Sequence, residues 1–311
     1  GDCLSRWLAP ERKHIRMELR HLRCFSAVAE ELHFARAAAR LHIEQSPLSR
    51  TIKELESDLG TQLFERTTRS TRLTFAGQVL LNDVRRLFTV LDQARDNVRA
   101  AAAGHRGMLR IAVSDGVVPQ RFSSLLARCR EQEPDIEVRL FEVPLAQQVR
   151  GLRDAVYDVG FSRLDEVGEG ISAVPVWTDQ VVAVVPARHP LLVHKRVPIR
   201  EIMNYPLILA HPHSSEGWYR HIERLLRTVD VQPDIAEYAG STDLLLALIA
   251  AGYGVGFATE EQLAYVHDAE VVTRPLEGAS GIVTTYLLRA AANPSPHVTR
   301  FVERASGGTI Q

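Results

Sequence analysis

Cysteine is scarce in this chain. Cys3, Cys24 and Cys129 are the only three in 311 residues; they are widely spaced, odd in number and form no CxxC, so neither a disulfide framework nor a thiolate zinc site is expected. A reducing, cytoplasmic setting suits such a chain. Cys24 and Cys129 fall at helical positions and read as small apolar fillers, and the stretch from Trp177 to Gly281 has no cysteine with which to build a redox pair. Long hydrophobic runs are missing too. None approaches the roughly 20 residues of a membrane helix, and the N-terminal LSRWLAPERKHIR is too short and too charged for a signal peptide.

Catalytic signatures are equally scarce. There is no GxSxG elbow, HExxH or phosphate-binding P-loop. Gly252, Gly254 and Gly256 spell GxGxG, but a nucleotide loop follows a strand and opens a helix, whereas these glycines follow a helix and open a strand. They read as turn and close-packing residues. His211 and His213, with His221 eight residues on, suggest metal ligands, but a loop HxH without a clear third or carboxylate ligand is usually only a loop, so no metal and no cofactor is expected. With no nucleophile–base pair or cofactor loop, the chain does not read as an enzyme.

A net charge of −1 hides an asymmetry. Residues 1–106 carry 18 Lys and Arg against 13 Asp and Glu, an excess of five positive charges, and the remainder carries 19 against 25. The length suits two or three domains. The basic part contains FARAAARLHIEQSPLSRTIKELESDLGTQLFERTTRSTR, from Phe34 to Arg72. Within it Leu48, Ile52, Leu55 and Leu59 recur at helical spacing and mark one buried face. Ser46 is the expected N-cap, with Pro47 at the first helical position. Outward from this helix point Ser49, Arg50 and Lys53, preceded by Gln45, side chains suited to phosphate oxygens and base edges. The small preceding helix, Phe34 to Leu41, is alanine-rich and lets two helices approach closely. After Gly60, Arg66, Arg69 and Arg72 alternate with Thr and Ser in a segment too polar for a core strand, the pattern of an exposed hairpin that reaches DNA. An amphipathic helix and a solvated loop explain each part taken alone. Helix pair, cap and basic wing in this order favour a winged helix-turn-helix that binds double-stranded DNA.

From Thr74, a plausible cap, one long helix follows, with Leu80, Val84, Leu87, Leu91, Ala94, Val98 and Ala101 spaced alternately four and three until Gly104 and Gly107 end it. Packing on its own domain also uses this spacing. The polar opposite face favours a coiled-coil seam between two copies. Past Met108, short apolar runs alternate with helical patterns, the sign of parallel β–α–β units. LRIAV, IEVRLFEV and YDVGFSR are expected strands of one lobe. WTDQVVAVVP, YPLILAHP, a helix from about Glu216 to Val229, DIAEYAG, STDLLLALIAAG and YGVGF form a second. GIVTTYLLR and a helix around His297 to Arg304 return to the first, giving two lobes joined by crossovers near Trp177 and Gly281. The cleft between such lobes is the expected small-molecule site.

Taken together, MELRHLRCFSAVAEE, the QSPLSRTIKELESDLGTQLFERTTRSTRLTFAG block, the ARHPL turn and the AAGYGVGF junction resemble the LysR-type transcriptional regulators, from Met17 to about Arg304. MELRHLR with DVGFSRL is most similar to the subgroup that regulates aromatic catabolism and senses muconate and related ring-cleavage acids. The resemblance implies an α/β fold class: an N-terminal winged helix-turn-helix, a long linker helix, and a two-lobed effector domain like the periplasmic binding proteins. The expected divisions are an extension over 1–16, the DNA-binding domain over 17–74, the linker helix over 75–106 and the effector domain over 107–311. Lobe I covers about 107–176 and 282–311, and lobe II about 177–281. Implied partners are promoter half-sites, a small carboxylate or aromatic effector, further copies of the chain as a dimer or tetramer, and RNA polymerase, with no membrane. DNA contacts are carried over to Gln45, Ser46, Pro47, Ser49, Arg50, Lys53, Arg66, Arg69 and Arg72. Glu44 departs from the usual Ser or Ala. Effector contacts are carried over to Ser114, Asp115, Gly116, Leu145, Glu216 and Trp218, with Arg163 nearby. Gly116 and Leu145 lack carboxylate-gripping hydroxyls and Asp115 and Glu216 would repel a carboxylate, so the site is carried over and the ligand is not. Trp218 suits packing and ligand stacking equally. The competing reading is a cytoplasmic small-molecule-binding protein that does not regulate DNA.

Overall fold

A computed structural model describes residues 17–66, 70–114, 120–264, 270–278, 281–291 and 295–307. The chain divides into two compact units, up to Asp92 and from Gln93 onward.

In the first unit, α1 (Leu19–Glu31), α2 (Phe34–Arg40) and α3 (Gln45–Leu59) precede a two-stranded antiparallel hairpin, β1 (Phe64–Arg66) and β2 (Thr71–Leu73). Leu48, Ile52 and Leu55 form the buried face of α3, and Leu59 packs at its edge. They meet Phe25, Phe64 and the small Ala37 and Ala38, which allow α2 to lie close. Gly60 ends α3 in the left-handed region at φ 68°, where the missing Cβ removes the strain. The start of α3 differs from expectation. Glu44, not Ser46, is the N-cap residue; its carbonyl accepts the first helical bond, from Leu48 N, and no side chain caps the end. Pro47 therefore sits at the third helical position. It is tolerated there because none of the first four N–H groups has a partner within the helix.

Thr74 caps α4 (Phe75–Ala102): its hydroxyl accepts from Gly77 N at 2.9 Å and donates to Gln62 O. The expected seam divides. Leu80 and Val84 pack, with Leu81 and Phe88, into the core of the first unit. Leu87, Leu91 and Val98 are exposed, as are Phe75, Val79 and Val90. Own-domain packing thus takes the first turns, and the apolar stripe beyond them is uncovered in the single chain. No described helix is long and apolar enough to cross a membrane.

The second unit is built on a nine-stranded mixed sheet. One set holds β3 (Gly107–Val113), parallel to both β4 (Ile136–Glu142) and β5 (Val159–Ser162), with α5 (Gln120–Gln132) and α6 (Leu145–Arg153) between them. The long β6 (Ile171–Pro186) then passes into the other set. There the short α7 (Ile199–Ile202) leads to β7 (Leu207–Ala210). This strand is parallel to β8 (Ile235–Ala239) and β9 (Val255–Thr259), with α8 (Glu216–Leu226) and α9 (Thr242–Ala250) as connections. After α10 (Glu260–Leu263), β10 (Val271–Pro275) pairs antiparallel with β6. The last strand, β11 (Ile282–Ala290), returns antiparallel to β5 and β6, and α11 (Pro296–Ser306) closes the fold.

The parallel β–α–β units are thus interrupted by antiparallel β6, β10 and β11, and the sheet is mixed. β6 also begins six residues before the run WTDQVVAVVP. The sequence SAVPV hides this because proline removes a ladder donor. Its place is a β-bulge: Trp177 pairs with Thr285 and Pro175 with Tyr286, leaving Val176 as the extra residue, and bulges accept proline within a sheet. β6 pairs with β11 as far as Gln180 and with β9 from Val181. α8 ends at Leu226, three residues before the expected Val229.

Each set has its own core. Phe122, Phe161, Trp177 and Phe301 form an aromatic cluster around β5, with Phe161 and Trp177 stacked at 5.2 Å. Ile202, Leu207, Trp218, Leu225 and Phe257 anchor the other. Gly254 and Gly256 are close-packing residues, as expected: a Cβ on them would lie 2.5 Å from Pro206 O and 2.9 Å from Ile208 O. Gly252 turns the chain at φ 81°.

Candidate DNA-binding surface and effector cleft

The recognition helix presents its polar face because its apolar face is fixed in the core. Gln45, Ser46, Pro47, Arg50 and Lys53 are exposed and Ser49 is half-buried. The hairpin beside it is held by Glu56. One carboxylate oxygen accepts from Leu63 N at 2.9 Å and Phe64 N at 3.2 Å, and the other lies 3.7 Å from Arg66. Sequence reading passed over Glu56, whose only signal was an acid facing the start of a strand. Arg66 folds back: it donates to Ser49 Oγ at 3.3 Å and lies 4.2 Å above the Phe34 ring. Arg72 is exposed on β2, paired in register with Glu65. Arg69 lies outside the described residues. In α2, Arg36 and Arg40 are engaged with Glu30 and Glu31. Among the described residues of this face, Arg50 and Lys53, one turn apart on α3, and Arg72 on β2 are exposed cations outside these pairs.

In the second unit, a cavity of about 220 Å³ opens at the carboxyl ends of β4, β7 and β8. Trp218 and Phe257 supply its apolar wall, and Ser214, Ser215, Ser241 and Thr242 supply hydroxyls, with Glu142 across from them. Ser241 caps α9 by accepting from Leu244 N. These hydroxyls lie in the loop HPHSSEG and the cap STD, and the polar clusters at strand ends were the signal that could have found them.

The effector residues carried over from the resemblance do not all meet here. Trp218 lines the cleft, whereas Ser114 is buried with its hydroxyl toward Phe161 O, and Leu145 is packed among Ala112, Leu152 and Leu288. Glu216 is paired with Arg220 at 2.6 Å, which neutralises the acid expected to repel a carboxylate. Arg163 is buried behind Trp218, its guanidinium 4.8 Å from the ring centroid. Asp115 and Gly116 lie outside the described residues. His211 and His213 are neighbours in one loop, with His213 N donating to His211 Nδ1, while His221 stacks on Trp218. Among the described residues no group of three or more His, Cys, Asp or Glu is placed to hold a metal.

Residues 19–78 match the bacterial regulatory helix-turn-helix protein, lysR family, and residues 102–307 match the LysR substrate binding domain. The chain belongs to the LysR family. It is 35% identical over 240 residues to the HTH-type transcriptional regulator YnfL of Escherichia coli, covering 77% of this chain and 81% of that one. To ClcR of Pseudomonas putida it is 33% identical over 244 residues, covering 78% and 83%. Among solved structures it resembles the LysR family regulator CbnR, with a TM-score of 0.68, 27% identity, and 95% and 100% of the two chains covered. Full-length CbnR complexed with its target DNA gives a TM-score of 0.69 at 28% identity, covering 94% and 100%. The winged helix-turn-helix and the two-lobed α/β domain are thus those of a LysR regulator. This protein is a DNA-binding transcriptional regulator with an effector-binding domain, not an enzyme.

Proposed function

We propose that this regulator binds paired promoter half-sites as a dimer or a dimer of dimers and switches transcription when a small aromatic or carboxylate effector enters the cleft at Trp218. The observation that carries this reading is the cleft's composition. Four hydroxyls and the amino end of α9 suit a carboxylate, and two aromatic rings suit the rest of the ligand. Within the family, MELRHLR and DVGFSRL support a regulator of aromatic catabolism. We assign DNA contact to Gln45, Ser46, Pro47, Ser49, Arg50 and Lys53 in the major groove and to Arg72 and Arg69 on the wing. Arg66 serves the wing from within through Glu56 and Phe34. The exposed stripe of α4 supports pairing, which doubles the modest positive charge of the reader. The divisions 17–74, 75–106 and 107–311 describe reader, pairing helix and sensor, with RNA polymerase as the downstream partner in the cytoplasm.

Fluorescence anisotropy on the DNA beside the protein's own gene tests the reading. Binding should be tighter than to random duplex and should weaken in Arg50→Ala; equal affinity for both duplexes refutes specific recognition. A thermal-shift panel of aromatic acids and ring-cleavage acids tests the effector class, and the absence of stabilisation by every member refutes it.

A further inference from the structure

From Leu41 to Arg50, across the turn and the start of α3, Glu44 is the sole acid. Its place is rigid. His42 N donates to Ala39 O and Ile43 N to Ala38 O, with His42 in the left-handed region at φ 55°, and Leu48, which donates to Glu44 O, is buried in the core. The Glu44 side chain itself has no local work: it is exposed and makes no capping bond to α3. Glu18, Glu30, Glu31 and Glu56 of the same unit each pair with an arginine, whereas among the described residues no hydrogen bond or ion pair engages the Glu44 carboxylate. We propose that Glu44 is a specificity-determining residue, whose carboxylate accepts from the exocyclic amino group of a cytosine and so fixes one C·G pair in each half-site. This rests on the placement of α3 in the major groove proposed for the regulator.

The surface that α3 approaches is an array of anions and acceptors. The phosphates are negative, and in the major groove guanine offers N7 and O6 and thymine offers O4, all of them acceptors. An ionised carboxylate only accepts, so it meets a donor there at the amino groups of cytosine and adenine alone. Beside the adenine amino group lies N7, an acceptor that opposes a second carboxylate oxygen. Cytosine presents its N4 donor with no acceptor of its own. At any other base the carboxylate sheds water without gaining a partner, and that is unfavourable.

Position on the helix matters as much as charge. The first residues of a recognition helix are the ones that reach base edges, and Glu44 stands one residue ahead of Gln45 at that end, while Arg50 and Lys53 lie farther along the exposed face. The acid therefore works as a filter. Phosphates repel it on every sequence, and only a cytosine in reach offsets that repulsion, so discrimination comes from penalising the wrong base as much as from rewarding the right one.

The test selects duplexes from a library of random sequence with the full chain and with its Glu44→Ser and Glu44→Gln variants, at one fixed salt concentration. Fluorescence anisotropy then compares the wild-type consensus with its substitutions at the assigned position. Serine is a favoured N-cap residue, so Glu44→Ser keeps the start of α3. The wild-type consensus should carry cytosine at one position of each half-site. Exchange of that cytosine for thymine should weaken wild-type binding roughly tenfold or more, and Glu44→Ser binding by less than about threefold. Glu44→Ser should lose the preference at that position and no other, and should bind duplexes lacking the cytosine more tightly than the wild type does. Glu44→Gln should move the preference toward adenine, whose N6 and N7 match an amide, a change that a merely structural residue would not produce. A consensus identical in the wild type and Glu44→Ser overturns the proposal alone, as does a uniform change of affinity across all sequences. A wild-type selection without any consensus overturns both the proposal and the groove placement on which it rests.

Discussion

Arg163 lies 4.8 Å above the ring of Trp218, joining the end of β5 to the first turn of α8 and so one strand set of the sensor to the other. A desolvated cation over an indole is worth up to about 2 kcal/mol. Trp218→Leu keeps apolar volume in the core and removes the π face. It should cost roughly 1–3 kcal/mol in denaturant unfolding, and the same loss should not recur when Arg163→Met is added to it. Fully additive losses in that double-mutant cycle would show that the two side chains do not interact.

Glu56 should govern the wing independently of the recognition helix. Glu56→Ala leaves Leu63 N and Phe64 N without their acceptor, at a cost of roughly 1–3 kcal/mol. DNA affinity should fall although Arg50 and Lys53 are intact. Glu56→Gln retains one acceptor oxygen and should recover much of the stability, as read by thermal unfolding of the full chain.

The exposed stripe of α4 should require a second copy. Leu91→Glu together with Val98→Glu places charges where the single chain buries nothing, so the fold and its circular dichroism should persist. Sedimentation at micromolar concentration should show monomer, and DNA affinity should fall at moderate salt. An unchanged oligomer would assign pairing to another surface.

Burial, and then Arg224 and Arg163, lower the pKa of His221 to about 4, which makes a pH prediction. The folded state holds this imidazole neutral down to about pH 4, whereas the unfolded chain protonates it at its ordinary value of 6.5. Between those limits the unfolded state binds more protons, so stability falls as pH drops from 6.5 toward 4. His221→Gln should show a smaller loss across this window in urea titrations. Parallel curves for the two proteins would rule out the assignment.

How far the sequence could be read depended on whether a signal was local. Leu48, Ile52 and Leu55 named the buried face of α3 because helix period alone sorts a helix into two faces. Thr74 announced its helix because a cap is a contact within four residues. Ser46 misled because proline is tolerated at several positions of a first turn, and only the bond from Leu48 N to Glu44 O shows where α3 begins. β6 was cut short at Pro175 because a bulge is a property of two paired strands. The effector residues carried over by resemblance scattered, Leu145 into a core and Arg163 behind Trp218, because cleft lining depends on how loops close over strand ends.

The sequence by itself determined a reader, a long apolar-striped helix and a two-lobed α/β sensor, since caps, periodicity and alternation are written in neighbouring residues. Tertiary structure alone decided that Glu56 fastens the wing and that Arg66 turns inward. It also decided that α4 buries Val84 while exposing Val98, and that Arg163 and His221 both lie against Trp218. Those relations join residues far apart in the chain. Folding brings such groups within a few ångströms, where charge, burial and donor geometry act.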